Sequence, residues 1–259
     1  MTETEWLSAT DPTPMLEFLR GNVSDRKLRL FAVGCCREIW PLLRDERSRE
    51  VVEVVEQHIE RLATDDQLRS ASTEAGRAFD SLKEQVFASI VGADLAHQAI
   101  VLPQGLFDLT DIQTARDAHG AVDSDLVVQA ASAVLNATWL ETELQATGYS
   151  HLDNAIDVAN LASYCAPNQE LEKIAQASLL RDIFDNPFRP VSFNPSWLTS
   201  TVTTLARQMY DSRDFSPMPI LADALQDAGC ELEEILNHCR GEVDHVRGCW
   251  AVDLILGRL

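Results

Sequence analysis

The chain has 259 residues and a mass of 28.8 kDa, with 21 Lys and Arg against 41 Asp and Glu, a net charge of −20 and a pI near 4.5. Apolar residues make up 46% and aromatic residues 7%, enough to bury a core along most of the length and to exclude a disordered chain. So acidic a balance excludes nonspecific binding to phosphate backbones or anionic lipid, both of which need clustered Lys and Arg. Neither a direct nucleic-acid partner nor a membrane is expected.

The first residues, Met1-Thr2-Glu3-Thr4-Glu5-Trp6-Leu7, carry two carboxylates where a secretory leader would carry Lys or Arg ahead of an apolar stretch. The longest uncharged run, Leu126 to Leu140, includes Gln129, Ser132, Asn136 and Thr138; it is too short and too polar to span a membrane and reads as a buried helix. Six cysteines, two of them adjacent at Cys35 and Cys36, do not make the dense framework of a small secreted domain. Reduced thiols and a cytoplasmic location are the expectation.

Apolar spacing is helical in every testable stretch, and no run alternates as a half-buried strand does, so the fold class is all-α, a multi-helix bundle or a short array of helical hairpins. Leu28, Ala32, Cys35, Ile39 and Leu43 form one stripe of a helix from Ser24, its N-cap, to Leu43, with Pro41 kinking or ending it early. A second helix covers Asp45 to Ala63, with Val51, Val54, Val55, His58, Ile59 and Leu62 on its apolar face and Glu53, Glu56 and Glu60 opposite. Helical spacing continues from Gln67 to Val101, and Pro103-Gln104-Gly105 reads as a loop. Asp123 to Ala146 is the most apolar helix, capped at Gly148, and helices follow at His151 to Cys165 and Asn168 to Phe184.

Asp185 to Pro195 holds three prolines in eleven residues and is the candidate boundary, dividing an N-terminal helical region, 1–184, from a C-terminal one, 185–259, with packing of the two as one domain the alternative. Beyond it helices are expected from Pro195 to Tyr210, from Pro217 or Pro219 to Ala228, from Glu231 to Arg240 and from Val246 to Leu256. The charge is uneven: residues 1–19 sum to −4, residues 20–49 to +4 and the remainder to −20. Between Lys83 and Lys173 the sole basic side chain is Arg116, so the acidic middle reads as a solvated face, a docking face for a basic partner, or a mimic of nucleic-acid phosphates.

Chemistry-bearing residues concentrate near the C-terminus. Cys230, His238, Cys239, His245 and Cys249 are five candidate metal ligands, and zinc takes thiolate and imidazole in tetrahedral sets. They contain no Cys-x-x-Cys pair, and the adjacent His238 and Cys239 diverge by about 100° on a helix, so they would not ligate one ion together. The plain alternative makes the cysteines core residues and leaves the histidines at helix ends. Glu242-x-x-His245 and Asp94-x-x-His97 only loosely match the motif of a di-iron bundle. No Gly-x-Ser-x-Gly elbow or phosphate loop is present, and Cys35 and Cys36 lie on an apolar stripe.

Asp223 to Cys239 has the outline of a helix-turn-helix, but Glu231, Glu233 and Glu234 on its second helix would repel phosphates, which makes it an ordinary αα-hairpin. Arg189, Arg240 and Arg247 with Asp182, Asp223, Asp244 and Asp253 could form an ion-pair network or an anion site. The five tryptophans fall in apolar stripes or at helix starts and are expected to pack in the core.

Several blocks together resemble a bacterial family of hypothetical proteins. They are Trp6-Leu7 with Pro14-Met15-Leu16-Glu17-Phe18-Leu19, then Ser24 to Ala32 with Cys35-Cys36-Arg37, Leu180 to Phe184 with Asn186-Pro187-Phe188-Arg189-Pro190-Val191, and His238-Cys239-Arg240 with His245-Val246-Arg247-Gly248-Cys249-Trp250. The resemblance covers the two ends and implies a bacterial origin and that both ends belong to one recurring unit. It implies no activity, cofactor or site.

The functional expectation is a non-catalytic helical interaction module, an adaptor or regulatory subunit without a cofactor that binds a dedicated protein partner. The alternatives are a zinc protein built on the C-terminal Cys and His residues, with or without hydrolytic chemistry, and an acidic nucleic-acid mimic.

Overall fold

The computed structural model describes residues 1–91, 134, 138 and 148–258. The described residues form eleven α-helices and no strand, an all-α fold. In chain order they are α1 (Glu3–Ser8), α2 (Pro12–Leu19), α3 (Asp25–Glu38), α4 (Glu46–Ile59), α5 (Asp65–Val91), α6 (His151–Cys165), α7 (Gln169–Phe184), α8 (Ser200–Ser212), α9 (Met218–Asp227), α10 (Glu233–Arg240) and α11 (Trp250–Leu256). None of the helices searched is long and apolar enough to cross a membrane. The expected loop at 103–105, the helix from Asp123 to Ala146, Arg116 and the Asp94-x-x-His97 motif lie outside the described residues.

Local chemistry sets the helix ends. Thr2 accepts from the Glu5 N–H while the Glu5 carboxylate accepts from the Thr2 N–H, a capping box that starts α1. Asp11 accepts from the Thr13 N–H and Pro12 opens α2, where a missing N–H costs nothing. Apolar periodicity alone had not disclosed these two short helices. Pro41 ends the α3 stripe early: the helix stops at Glu38 and a 3-10 turn carries Trp40–Leu42. Asp45 caps α4 through the Arg47 N–H.

The expected α4 face needs two corrections. Leu62 lies beyond the helix and is 75% exposed, whereas Glu56, placed on the polar face by periodicity, is buried. Arg37 compensates by donating to Glu56 at 2.7 Å and to Glu53 at 3.0 Å. A cation from another helix thus overrides the amphipathic pattern, since a buried carboxylate is tolerable when paired.

The chain divides into two compact units. One combines residues 1–34 with 173–259, and the other contains residues 35–172. The proline-rich stretch 185–195 therefore lies inside the first unit. There α8 to α11 enclose a core that includes Val202, Met209, Leu221, Ile235, Trp250 and Ile255. The two ends of the chain are tied together by polar contacts: Arg181 donates to the carbonyls of Trp6 and Ala9, Asn186 and Arg189 meet Glu3, and Arg26 forms a two-pronged pair with Asp253 at 2.7 and 3.3 Å. Of the arginine–aspartate pairs anticipated from sequence, the structure forms Arg240–Asp223 at 2.8 Å. Arg247 instead donates to the backbone carbonyls of Tyr210 and Asp211.

Candidate metal centre

The first unit brings four side chains to one point. Asp182 comes from the last turn of α7, His238 from α10, and His245 and Cys249 from the segment between α10 and α11. One ligand atom from each lies within 4.8 Å of all the others. The expected helix from Val246 begins instead at Trp250, with Cys249 as its N-cap. Gly248 makes this possible with φ +96°, and its missing Cβ leaves room for Leu30, whose Cδ1 would lie 3.0 Å from it. The non-helical run from Gly241 to Gly248 therefore turns both His245 and Cys249 inward.

Asp182 is the hub. Its Oδ1 lies 2.6 Å from His245 Nδ1 and 3.4 Å from His238 Nε2, and its Oδ2 accepts from the Val246 N–H at 3.0 Å. Burial raises the pKa of this carboxyl, but hydrogen bonds from the two histidines outweigh burial and hold it below the ordinary aspartate value. His238 Nε2 is 3.2 Å from Cys249 Sγ, which is 3.8 Å from His245 Nδ1. Trp250 Nε1 donates to His238 Nδ1 at 3.1 Å, and the two rings lie with centroids 4.8 Å apart and planes tilted by 48°. The buried Nε2 of His245 has no hydrogen-bond partner.

The donor set and its spacing fit a tetrahedral metal ion. Zinc–ligand bonds of about 2.0–2.3 Å imply ligand–ligand edges of roughly 3.2–3.8 Å. Of the six edges, the separations of 3.2, 3.4 and 3.8 Å already match, the 2.6 Å Asp182–His245 contact would have to open by about an ångström, and the other two, within 4.8 Å, would have to close wherever they exceed that range. A dication held by one carboxylate, one thiolate and two neutral imidazoles is a neutral assembly, which suits a buried position.

Three of the five sequence candidates, His238, His245 and Cys249, converge in this cluster, and Cys230 and Cys239 do not. Both of the latter belong to the apolar core of α8 to α11. Burial, with smaller contributions from Asp182 and Cys230, pushes the Cys239 thiol up to about 12. The divergence of His238 and Cys239 on one helix accounts for the split. Sequence reasoning placed Asp182 only in the ion-pair network. The available signal was a lone carboxylate between Leu180 and Ile183 on a buried helix face.

Cysteine, histidine and aspartate also make up thiol-nucleophile sites, which require an accessible thiolate. Cys249 is fully buried, and burial followed by the Asp182 and Cys239 charges pushes its thiol well above the ordinary range. The site therefore lacks the access that such chemistry needs. No protein-family profile, curated protein or solved structure matches the chain.

Proposed function

We propose that this is a non-catalytic, metal-binding helical protein in which Asp182, His238, His245 and Cys249 hold one zinc ion as a structural staple. The observation that carries the reading is the convergence of one oxygen, two nitrogens and one sulfur within 4.8 Å inside the first unit. The burial of Asp182 and Cys249 favours a closed structural site over a catalytic one, which keeps a position open to water or substrate. Such an ion would join α7 to α10 and to the start of α11, so its binding energy would become folding energy.

The test is native mass spectrometry with elemental analysis on the full chain isolated without chelator. One zinc per chain is expected, lost in the Cys249→Ala, His245→Ala double variant and retained in Cys230→Ala. Protein that neither carries zinc nor gains thermal stability when zinc is added would reject the reading.

A second reading concerns the other unit. Residues 35–172 contain nine Lys and Arg against 24 Asp and Glu, a net charge of −15, which supports docking to a protein partner with a basic surface. The protein is proposed to act in this way in the cytoplasm, in keeping with six unpaired cysteines. Binding to a dedicated partner that weakens as salt rises is expected, and salt-insensitive binding would reject the electrostatic version.

A further inference from the structure

We infer that Trp250 limits how tightly the site takes zinc, by holding His238 in a tautomer that zinc must displace; the inference rests on the metal reading above. An indole N–H is only ever a donor. Because Trp250 Nε1 lies 3.1 Å from His238 Nδ1, that nitrogen must offer its lone pair. A neutral His238 then carries its hydrogen on Nε2, where two acceptors face it: Cys249 Sγ at 3.2 Å and Asp182 Oδ1 at 3.4 Å. The hydrogen-bonded network is consistent at every atom of His238.

Zinc on Nε2 requires the opposite arrangement. Nε2 must give its lone pair to the ion, and the hydrogen moves to Nδ1, where it would confront the indole N–H, donor against donor. Metal-bound histidines ordinarily donate through the second nitrogen to a carbonyl or carboxylate, and that partner strengthens binding. At His238 the relation is inverted, because Trp250 stabilises only the hydrogen-bonded form. An interaction present in one of two forms weakens a ligand for the other by its own free energy. Trp250 is therefore a positioning residue that tunes the site toward weaker, more reversible zinc binding.

Two measurements on the full chain test this. In the first, zinc affinity is compared between the wild type and Trp250→Phe, which keeps an aromatic ring beside His238 and removes the donor. Loss of one neutral hydrogen bond predicts about 2- to 10-fold tighter zinc binding in the variant. A purely packing role for Trp250 predicts unchanged or weaker binding.

The second needs no variant: ¹⁵N spectra of histidine and of the indole N–H in the wild type, recorded before and after zinc. Expected are the Nε2–H tautomer of His238 before zinc, its conversion to Nδ1–H on binding, and a displaced Trp250 indole resonance. Zinc bound with the Trp250–His238 hydrogen bond intact, or equal or weaker binding by Trp250→Phe, overturns this inference alone. No zinc in either protein overturns the metal reading, and this inference with it; the tautomer seen before zinc still reports separately on the Trp250 lock.

Discussion

Asp182 Oδ1 lies 2.6 Å from His245 Nδ1, joining residues 63 positions apart, while Oδ2 of the same carboxylate accepts the Val246 N–H at 3.0 Å. One buried side chain thus fixes both the imidazole and the backbone that presents it. Removing it strands a buried imidazole and a buried N–H together, and breaking such a pair by deleting one partner costs about 3–5 kcal/mol. Asp182→Ala is expected to lose that much in urea unfolding at neutral pH. Asp182→Asn keeps the shape and one acceptor, and should lose less. Equal stability of wild type and Asp182→Ala would mean that the cluster contributes nothing to the fold.

The same carboxylate predicts an acid limb. Its pKa is lower in the folded protein than in the unfolded chain, because hydrogen bonds from His238 and His245 outweigh burial. A depressed carboxyl stabilises the fold fully above its unfolded value, about 3.9, and loses that contribution as pH falls through the folded value. Plotted against pH, the unfolding midpoint should drop more steeply below about pH 4 in the wild type than in Asp182→Asn. Parallel curves would show that the Asp182 carboxyl is not the group concerned.

Asp185 has the opposite sign. Burial, only partly offset by the Asn186 N–H and by the Lys27 charge, raises its pKa, and its backbone sits at φ +60°. A raised carboxyl costs stability while ionised, and the cost disappears as pH falls and the group protonates. Asparagine removes the charge, retains an acceptor and tolerates the left-handed region as well as aspartate does. Asp185→Asn should therefore unfold at higher urea than the wild type at pH 7, the gain vanishing in acid. A lower midpoint would show that attraction to Lys27 dominates.

Much of the fold was legible because it follows from local rules. The bounds His151 to Cys165 are those read from apolar spacing, and Pro41 ends α3 as a missing amide donor requires. What stayed hidden depends on partners distant in sequence. Glu56 looks solvent-facing by period alone, and only Arg37 from another helix explains its burial. Asp182 looks like one more aspartate until two histidines more than fifty residues away close on it. Cys249 was expected inside a helix beginning at Val246, yet that helix begins at Trp250, and the turn at Gly248 delivers His245 and Cys249 together. Periodicity encodes which face is buried and leaves open which polar groups meet there.

Cysteine reactivity gives a further prediction. All six thiols are buried, and burial is the first cause raising Cys36, Cys165 and Cys239 to about 12 and Cys35 and Cys249 well above the ordinary value. None of the six is accessible, and without metal burial also disfavours the thiolate at those five. A thiol reagent should label none of the six in the native protein and all six after unfolding. If zinc holds the C-terminal segment, a chelator should make Cys249 the first to react, because Gly241 to Gly248 would loosen before α8 to α10 open. Early labelling of Cys230 or Cys239 instead would locate the weak point in the apolar core.

Gly248 allows two effects to be separated. Its φ of +96° lies where a side chain is strained, and a Cβ there would meet Leu30 Cδ1 at 3.0 Å and Leu30 Cβ at 3.3 Å. Alanine should therefore pay a backbone cost of about 1–2 kcal/mol together with a steric cost at Leu30. A double-mutant cycle with Leu30→Ala distinguishes the two terms, since the residues touch and only the contact can be relieved. Gly248→Ala should be less damaging in the Leu30→Ala background than in the wild type, with the backbone part remaining. Full additivity would mean that Leu30 already yields in the single variant, leaving conformation as the whole reason for glycine before Cys249. In either case the turn that delivers Cys249 is weakened, so Gly248→Ala should also reduce zinc content without altering a ligand.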